Sequence, residues 1–356
     1  MKRPAFRHVK QCATSIAFTK SDLARTRKNS ISDVDEFPRH FSPRCLDPVL
    51  QGDQALMMSD RRSDRVAGLT PKEHVIARAL RRHVIALADT PRNLWHYQSL
   101  QRAAAYIDEE FTRAGYHPRH QVFDVEGRRI ANIEAEQHGR HRPDRILVIG
   151  AHYDSVDDSP GANDNASGVA VMLELARLHA ASPSPMTVRF VAFVNEEPPY
   201  FMTTAMGSWR YAAEAAARGD NIVAMMSLET VGYYSDEVGS QRYPFPFGRV
   251  LPSRGDFLAM VSNIRSARVL RSAARAFRSA TPLPLIASPA PAWIPGIAWS
   301  DHWSFWQHRY PALMLTDTAL YRYPHYHLDT DTPEKLDYAS MAQVYAGCAG
   351  VIDAQR

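Results

Sequence analysis

A chain of 356 residues, 45% hydrophobic and 22% charged, has enough apolar content to bury one large core, which places it among globular proteins of enzyme size. Its formal charge of +4 arises in the N-terminal segment, because residues 1 to 65 hold 13 Lys and Arg against 8 Asp and Glu and leave 29 against 30 for the rest. A near-neutral body offers no broad basic face for nucleic acid, and Cys12, Cys45 and Cys348 are too few and too scattered for a disulfide framework or a thiolate zinc site.

No eighteen apolar residues occur together, so no membrane span is expected. The basic N-terminus "MKRPAFRHVKQCATSIAFTK" lacks the apolar run of a secretory signal, which favours the cytoplasm unless translation starts further downstream. Residues 1–67 mix Arg, Ser, Asp and Pro without periodicity and read as a disordered extension, leaving 68–356 as a single domain. At "LTPKEHVIARALRRHVIALA" the pattern turns helical, with Thr70 as N-cap, Pro71 at the first helical position and Glu73 placed for a capping box. A second amphipathic helix in "NLWHYQSLQRAAAYIDEEFTRAGY" stops at Gly115, and the runs "HQVFDVEG" and "RRIANIEAEQ" then read as an antiparallel hairpin.

Compact apolar runs follow in "RILVIGAHYD", "TVRFVAFVNEE", "NIVAMMSLET" and "YPALMLTDT", the first three separated by helical patterns. A long helix is expected within residues 255–280 and a closing one near 337–354. This alternation predicts an α/β fold with a mixed, mostly parallel central sheet flanked by helices on both faces.

Ligands in such sheets bind beyond the carboxyl ends of the strands. There the sequence places His152 and Asp154, two apart and so pointing the same way, then Glu196 and Glu197, then Glu229, and near the C-terminus His325 and His327. An oxygen- and imidazole-rich set suits zinc or a similar divalent ion. Two adjacent glutamates are also costly to bury without a cation. His179, on a helix, and His308, in a turn, read as ordinary surface residues.

Five motifs in order, "HYD" at 152–154, "GANDNASG" at 161–168, "NEE" at 195–197, "LETVGY" at 228–233 and "HLDTDTPEKLD" at 327–337, resemble the M28 family of zinc aminopeptidases over residues 72–356. The resemblance implies a zinc-dependent exopeptidase-like fold and two zinc ions, with cobalt or manganese as alternatives. Asp164 would bridge them, His152 and Glu229 completing one site and Glu197 and His327 the other. Spacing within the family's motif selects His327 over His325. Glu229 stands where the family usually has Asp. Asp154 would orient the His152 ring, Asp301 in "SDHWSFW" would lie near the catalytic acid, and the Asp164–Asn165 peptide would be cis.

With the ions activating water, Glu196 would serve as general base and a peptide with a free N-terminus as substrate. Pro198, Pro199 and Tyr200 depart from the Gly-containing sequence common at this point. Aromatics in "GYYSDE" and "RYPFPFG" either line the substrate side or simply pack. A single-zinc glutaminyl cyclase and a non-catalytic binding protein of the same fold are the alternatives.

Overall fold

Thr70 opens the first helix through the capping box that the sequence predicts: the Glu73 carboxylate accepts from the Thr70 N–H at 2.7 Å, and Thr70 Oγ1 accepts from the Glu73 N–H at 3.3 Å. The computed structural model describes residues 69–354 except 183, 245 and 246, so the extension expected over 1–67 lies outside the described residues. Helix α1 (Pro71–Leu87) buries Ile76, Leu80, Val84 and Leu87, and α2 (Tyr97–Arg113) buries Leu100, Ala103, Ile107 and Phe111, each a single stripe of near-helical period. The hairpin follows as β1 (Arg119–Val125) and β2 (Arg128–Gln137), joined at Glu126 and Gly127, both at positive φ, as a two-residue turn with matching twist requires.

Strands β3 (Arg142–His152), β4 (Met186–Phe193), β5 (Ile222–Glu229), β6 (Leu258–Ser262), β7 (Leu285–Pro289) and β8 (Ala312–Thr316) complete one eight-stranded sheet in the order β1-β2-β4-β3-β5-β8-β6-β7. Strands β4, β3, β5 and β8 run parallel at its centre, while β1 and β2 and the β6–β8 pairing are antiparallel. Alternation along β3 shows how the faces are used. Leu147, Ile149 and Ala151 join the large core under α1, α2, α3 (Ser167–Ala181), α5 (Ala267–Ala280) and α8 (Tyr338–Asp353). Ile146 and Val148 face a smaller cluster with Phe193, Tyr211 and Phe305, below α4 (Gly207–Arg218) and α6 (His302–Gln307). Among the described residues no helix is long and apolar enough to cross a membrane.

Two expectations are corrected. The long helix over 255–280 is strand β6 followed by α5: Asn263 breaks the run by accepting from the Ser266 N–H at 2.9 Å, and the buried stripe of Leu270, Ala273, Ala274 and Phe277 begins only after it. A five-residue apolar run has no period that separates strand from helix. His179 is not a surface residue but 2% exposed, stacked on Phe190 at 6.3 Å with its pKa pushed down by burial, because α3 is enclosed along nearly its whole length. His308 is half-buried, edge-on to Trp209 at 4.8 Å.

Candidate metal centre

Parallel pairing brings three strand ends to one rim: His152 closes β3, Glu196 and Glu197 follow β4, and Glu229 closes β5. Between them the loop before α3 delivers Asp164, whose two oxygens face different histidines. Its Oδ1 lies 3.3 Å from His152 Nε2 and its Oδ2 lies 3.1 Å from His327 Nε2. Glu229 Oε2 is 3.3 Å from His152 Nε2, and Glu197 Oε2 is 3.5 Å from His327 Nε2. Donor atoms of His152, Asp164 and Glu197 all fall within 4.8 Å of one another. All these residues are buried except His327, which is half-buried.

Buried polar atoms normally find partners, yet both ring nitrogens of His152, Asp164 Oδ1 and Glu197 Oε1 make no hydrogen bond. Burial pushes the pKa of Glu196 well above the carboxylate range, with the charge of Glu229 adding to it, and burial with the charges of Asp164 and Glu196 does the same to Glu197. Burial also raises Glu229. Burial works to lower the pKa of His152, but the negative charge of Glu229 and Glu196 prevails and raises it. Unpartnered nitrogen and oxygen donors crowded among like charges fit a divalent cation of borderline or hard character.

The loop is held by its own motif. Asn163 Nδ2 donates to Asp317 Oδ2 at 2.9 Å and its Oδ1 accepts from the Gly232 N–H, while Asn165 Nδ2 donates to the Leu228 carbonyl at 2.8 Å and its Oδ1 accepts from the Thr230 N–H. Ser167 Oγ accepts from the Val231 N–H at 2.9 Å. "NDNAS" is thus stitched to the end of β5, with Asp164 left facing the histidines. A Cβ at Gly168 would stand 2.5 Å from the Leu228 carbonyl oxygen, so only glycine permits that approach. The Asp164–Asn165 peptide is cis, as expected, and so is Pro198–Pro199.

Asp154 does not hydrogen-bond His152, since its Oδ1 is 3.6 Å from Nδ1. It accepts instead from the Glu196 N–H through Oδ1 and the Glu197 N–H through Oδ2, each at 3.1 Å. Asp301 is fully buried, and burial pushes its pKa up to about 7; neighbouring Ser300 donates to Glu229 Oε2 at 2.7 Å. His325 is engaged with Thr330 at 2.9 Å, leaving His327 as the histidine of this segment that reaches the cluster. The "GYYSDE" tyrosines pack: Tyr233 lies against Tyr323 at 4.8 Å, and the buried Tyr234 donates to the Val231 carbonyl.

Two supporting groups had no role assigned from the sequence. Asp331, within the 327–337 motif, accepts from the Asn163 and Asp164 N–H groups at 2.9 and 3.1 Å and from the Tyr323 hydroxyl at 2.7 Å. Arg92, fully buried before α2, donates to the carbonyls of Tyr153 at 2.6 Å, Pro160 and Gly161 at 2.8 Å, clasping both ends of the loop.

Residues 131–352 match the model described as "Peptidase family M28". The chain belongs to that family. It is 40% identical over 289 residues to the "Uncharacterized protein YfbL" of Escherichia coli strain K12, covering 78% of this chain and 88% of the relative. A shorter match, 52% identical over 68 residues, covers 19% of this chain and 14% of "Aminopeptidase YwaD" from Bacillus subtilis strain 168. In three dimensions the chain is similar to the glutaminyl cyclase of Fimbriiglobus ruber, with a TM-score of 0.61, 20% identity and coverage of 79% of this chain and 95% of that one. That likeness shows the shared exopeptidase-like fold. The expectation of an M28 metallopeptidase with a mixed, mostly parallel sheet stands.

Proposed function

We propose that the protein is a two-zinc aminopeptidase that hydrolyses the peptide bond next to a free N-terminus. The observation that carries this reading is the divided carboxylate of Asp164, one oxygen toward His152 and the other toward His327. His152 and Glu229 would hold one ion and Glu197 and His327 the other, with Asp164 shared. When bound, such a pair lowers the pKa of water toward 7 and polarises a carbonyl oxygen. The longer Glu229 side chain is held by Ser300.

Glu196 borders this donor set without being needed in it, which leaves its carboxylate free for the role of general base. It takes a proton from water as the oxygen adds to the scissile carbon, and returns it to the departing amine as the C–N bond breaks. Asp154 fixes the backbone of both glutamates, so the base keeps its place relative to the donors. Tyr326 stacks on His327 at 3.8 Å.

The name of the Bacillus subtilis relative supports an aminopeptidase. The cyclase with the same fold supports the second reading, aminoacyl transfer at one metal.

The two glutamates separate these roles. Glu196→Gln should reduce turnover of aminoacyl-arylamides by about 10²- to 10⁴-fold with both zinc ions retained. Glu197→Gln should lose one ion and regain part of its activity in excess zinc. Loss of metal in the first variant with retention in the second would reverse the assignment. Conversion of a glutaminyl peptide to pyroglutamate without hydrolysis, at one zinc per chain, would establish the cyclase instead.

A further inference from the structure

Helix α5 turns Leu270, Ala273, Ala274 and Phe277 into the main core, and helical geometry then sets Arg268, Arg271 and Arg275 within about 60° of one another on the opposite side. Arg265 precedes them in the turn that leads into the helix. All four are exposed, and among the described residues none of them has a carboxylate partner. Arg278, exposed on the same helix, donates to the Leu285 carbonyl at 3.0 Å.

A solvated face ordinarily intersperses charges of both signs. Residues 257–300 hold five Arg and no Asp or Glu, which leaves 24 Lys and Arg against 30 Asp and Glu for the remainder of residues 66–356. Outside this stretch the body therefore carries an acidic excess. The other exposed residues of α5, Ser272, Ser279 and Ala280, are short and leave the guanidinium groups uncovered. Ile264, next to Arg265, is 64% exposed. The helix connects β6 to β7, the edge strand of the sheet, and supplies none of the donors of the metal centre, so a partner on its outer face need not touch the rim.

We infer that this row of arginines docks the protein peripherally on an anionic lipid surface. A bilayer is flat and meets only the face turned toward it. A nucleic acid that followed the protein surface would leave the row after about 15 Å and run onto a body with excess acid. The row also lacks an aromatic or amide side chain to stack on a base or read its edge. Ile264 gives it one apolar side chain to place beneath the headgroups.

The test uses the full-length protein and co-sedimentation with vesicles of phosphatidylcholine, alone or mixed equally with phosphatidylserine. Binding should require phosphatidylserine and weaken as salt rises. Each arginine near such a surface is worth roughly 5-fold in partitioning, so Arg268→Gln, Arg271→Gln and Arg275→Gln combined should lower binding about 100-fold. The three Lys replacements together should keep it. All variants retain residues 1–65, the other segment with an excess of Lys and Arg, so a loss belongs to α5. Glutamine suits an exposed helix about as well as arginine, and circular dichroism should match the parent. If the triple variant fails to fold, Arg271→Gln alone, at roughly 5-fold, decides.

Binding that is unchanged in the Gln variants, or absent with phosphatidylserine, would overturn the inference. So would tighter binding to a DNA duplex at equal phosphate concentration that the Gln variants lose, which would make nucleic acid the partner. Equal loss in the Lys and Gln replacements would also overturn it, because it would assign the row to forked contacts with a protein's carboxylates.

Discussion

At the scale of single residues, the centre is built on backbone in uncommon conformations. Asn195, Thr230 and His327 sit at φ of 60°, 46° and 60°, in or immediately beside the acid and imidazole positions. For a β-branched residue such as Thr230 that conformation is costly. It persists because the Thr230 N–H reaches Asn165 Oδ1 at 3.1 Å and its carbonyl accepts from the Asp317 N–H at 2.7 Å. Asp154 offers the clearest test of such support. Its two oxygens each take one backbone N–H, and an amide has only one oxygen to offer. Asp154→Asn is expected to lower zinc affinity or kcat by about 10- to 100-fold with little change in fold, as equilibrium dialysis and circular dichroism together would reveal. Unchanged zinc affinity and kcat would mean that the two glutamates are positioned without it.

Among the elements, α3 carries the most consequence, because it begins where the Asp164 loop ends. Glu174 in its second turn is 1% exposed and receives His83 Nε2 of α1 at 3.0 Å and Arg177 Nε at 2.7 Å. His83 Nδ1 in turn meets the Tyr106 hydroxyl of α2 at 2.7 Å. One carboxylate therefore ties three helices. Burial works to raise the pKa of Glu174, but hydrogen bonds from His83 and Arg177 prevail and hold it below its ordinary 4.5. A depressed folded-state pKa adds stability that is complete above the unfolded value and disappears as pH falls through the folded one. Glu174→Gln should thus cost roughly 1.5 to 3 kcal/mol near neutral pH. In denaturant titrations, the gap from the parent protein should close as pH falls from 4.5 downward. A gap that persists in acid would show that the carboxylate's charge is not what binds the helices.

For the molecule as a whole, three parallel strands end at one rim and deposit their charges in one place. The sheet supplies order, but it buries the acids it gathers, and that burial, with their mutual repulsion adding to it, raises the pKa values of Glu196, Glu197 and Glu229. A ligand that binds only the folded chain stabilises it by about 2.7 kcal/mol at a hundred times its Kd. Removing divalent ions with a chelator should therefore lower the melting temperature, and zinc should restore it with close to two ions per chain under the proposed reading. A melting temperature indifferent to both treatments would contradict a metal at this rim.

The sequence by itself determined what is local or periodic. The capping box at Thr70, the stripes of α1 and α2, the hairpin and the central strands could be read because each rests on neighbours within a few residues, and strand ends named His152, Glu196, Glu197 and Glu229. Only the tertiary structure decided what depends on closure between distant segments. It made β6 a strand by pairing it with β8, buried His179 under α3's neighbours, turned Asp154 from His152 to two backbone amides, and brought Arg92 and Asp331 onto the Asp164 loop. The physical reason is the same in each case. A five-residue run, a lone histidine or an isolated arginine carries no period of its own, so its environment is set by partners that lie tens or hundreds of residues away.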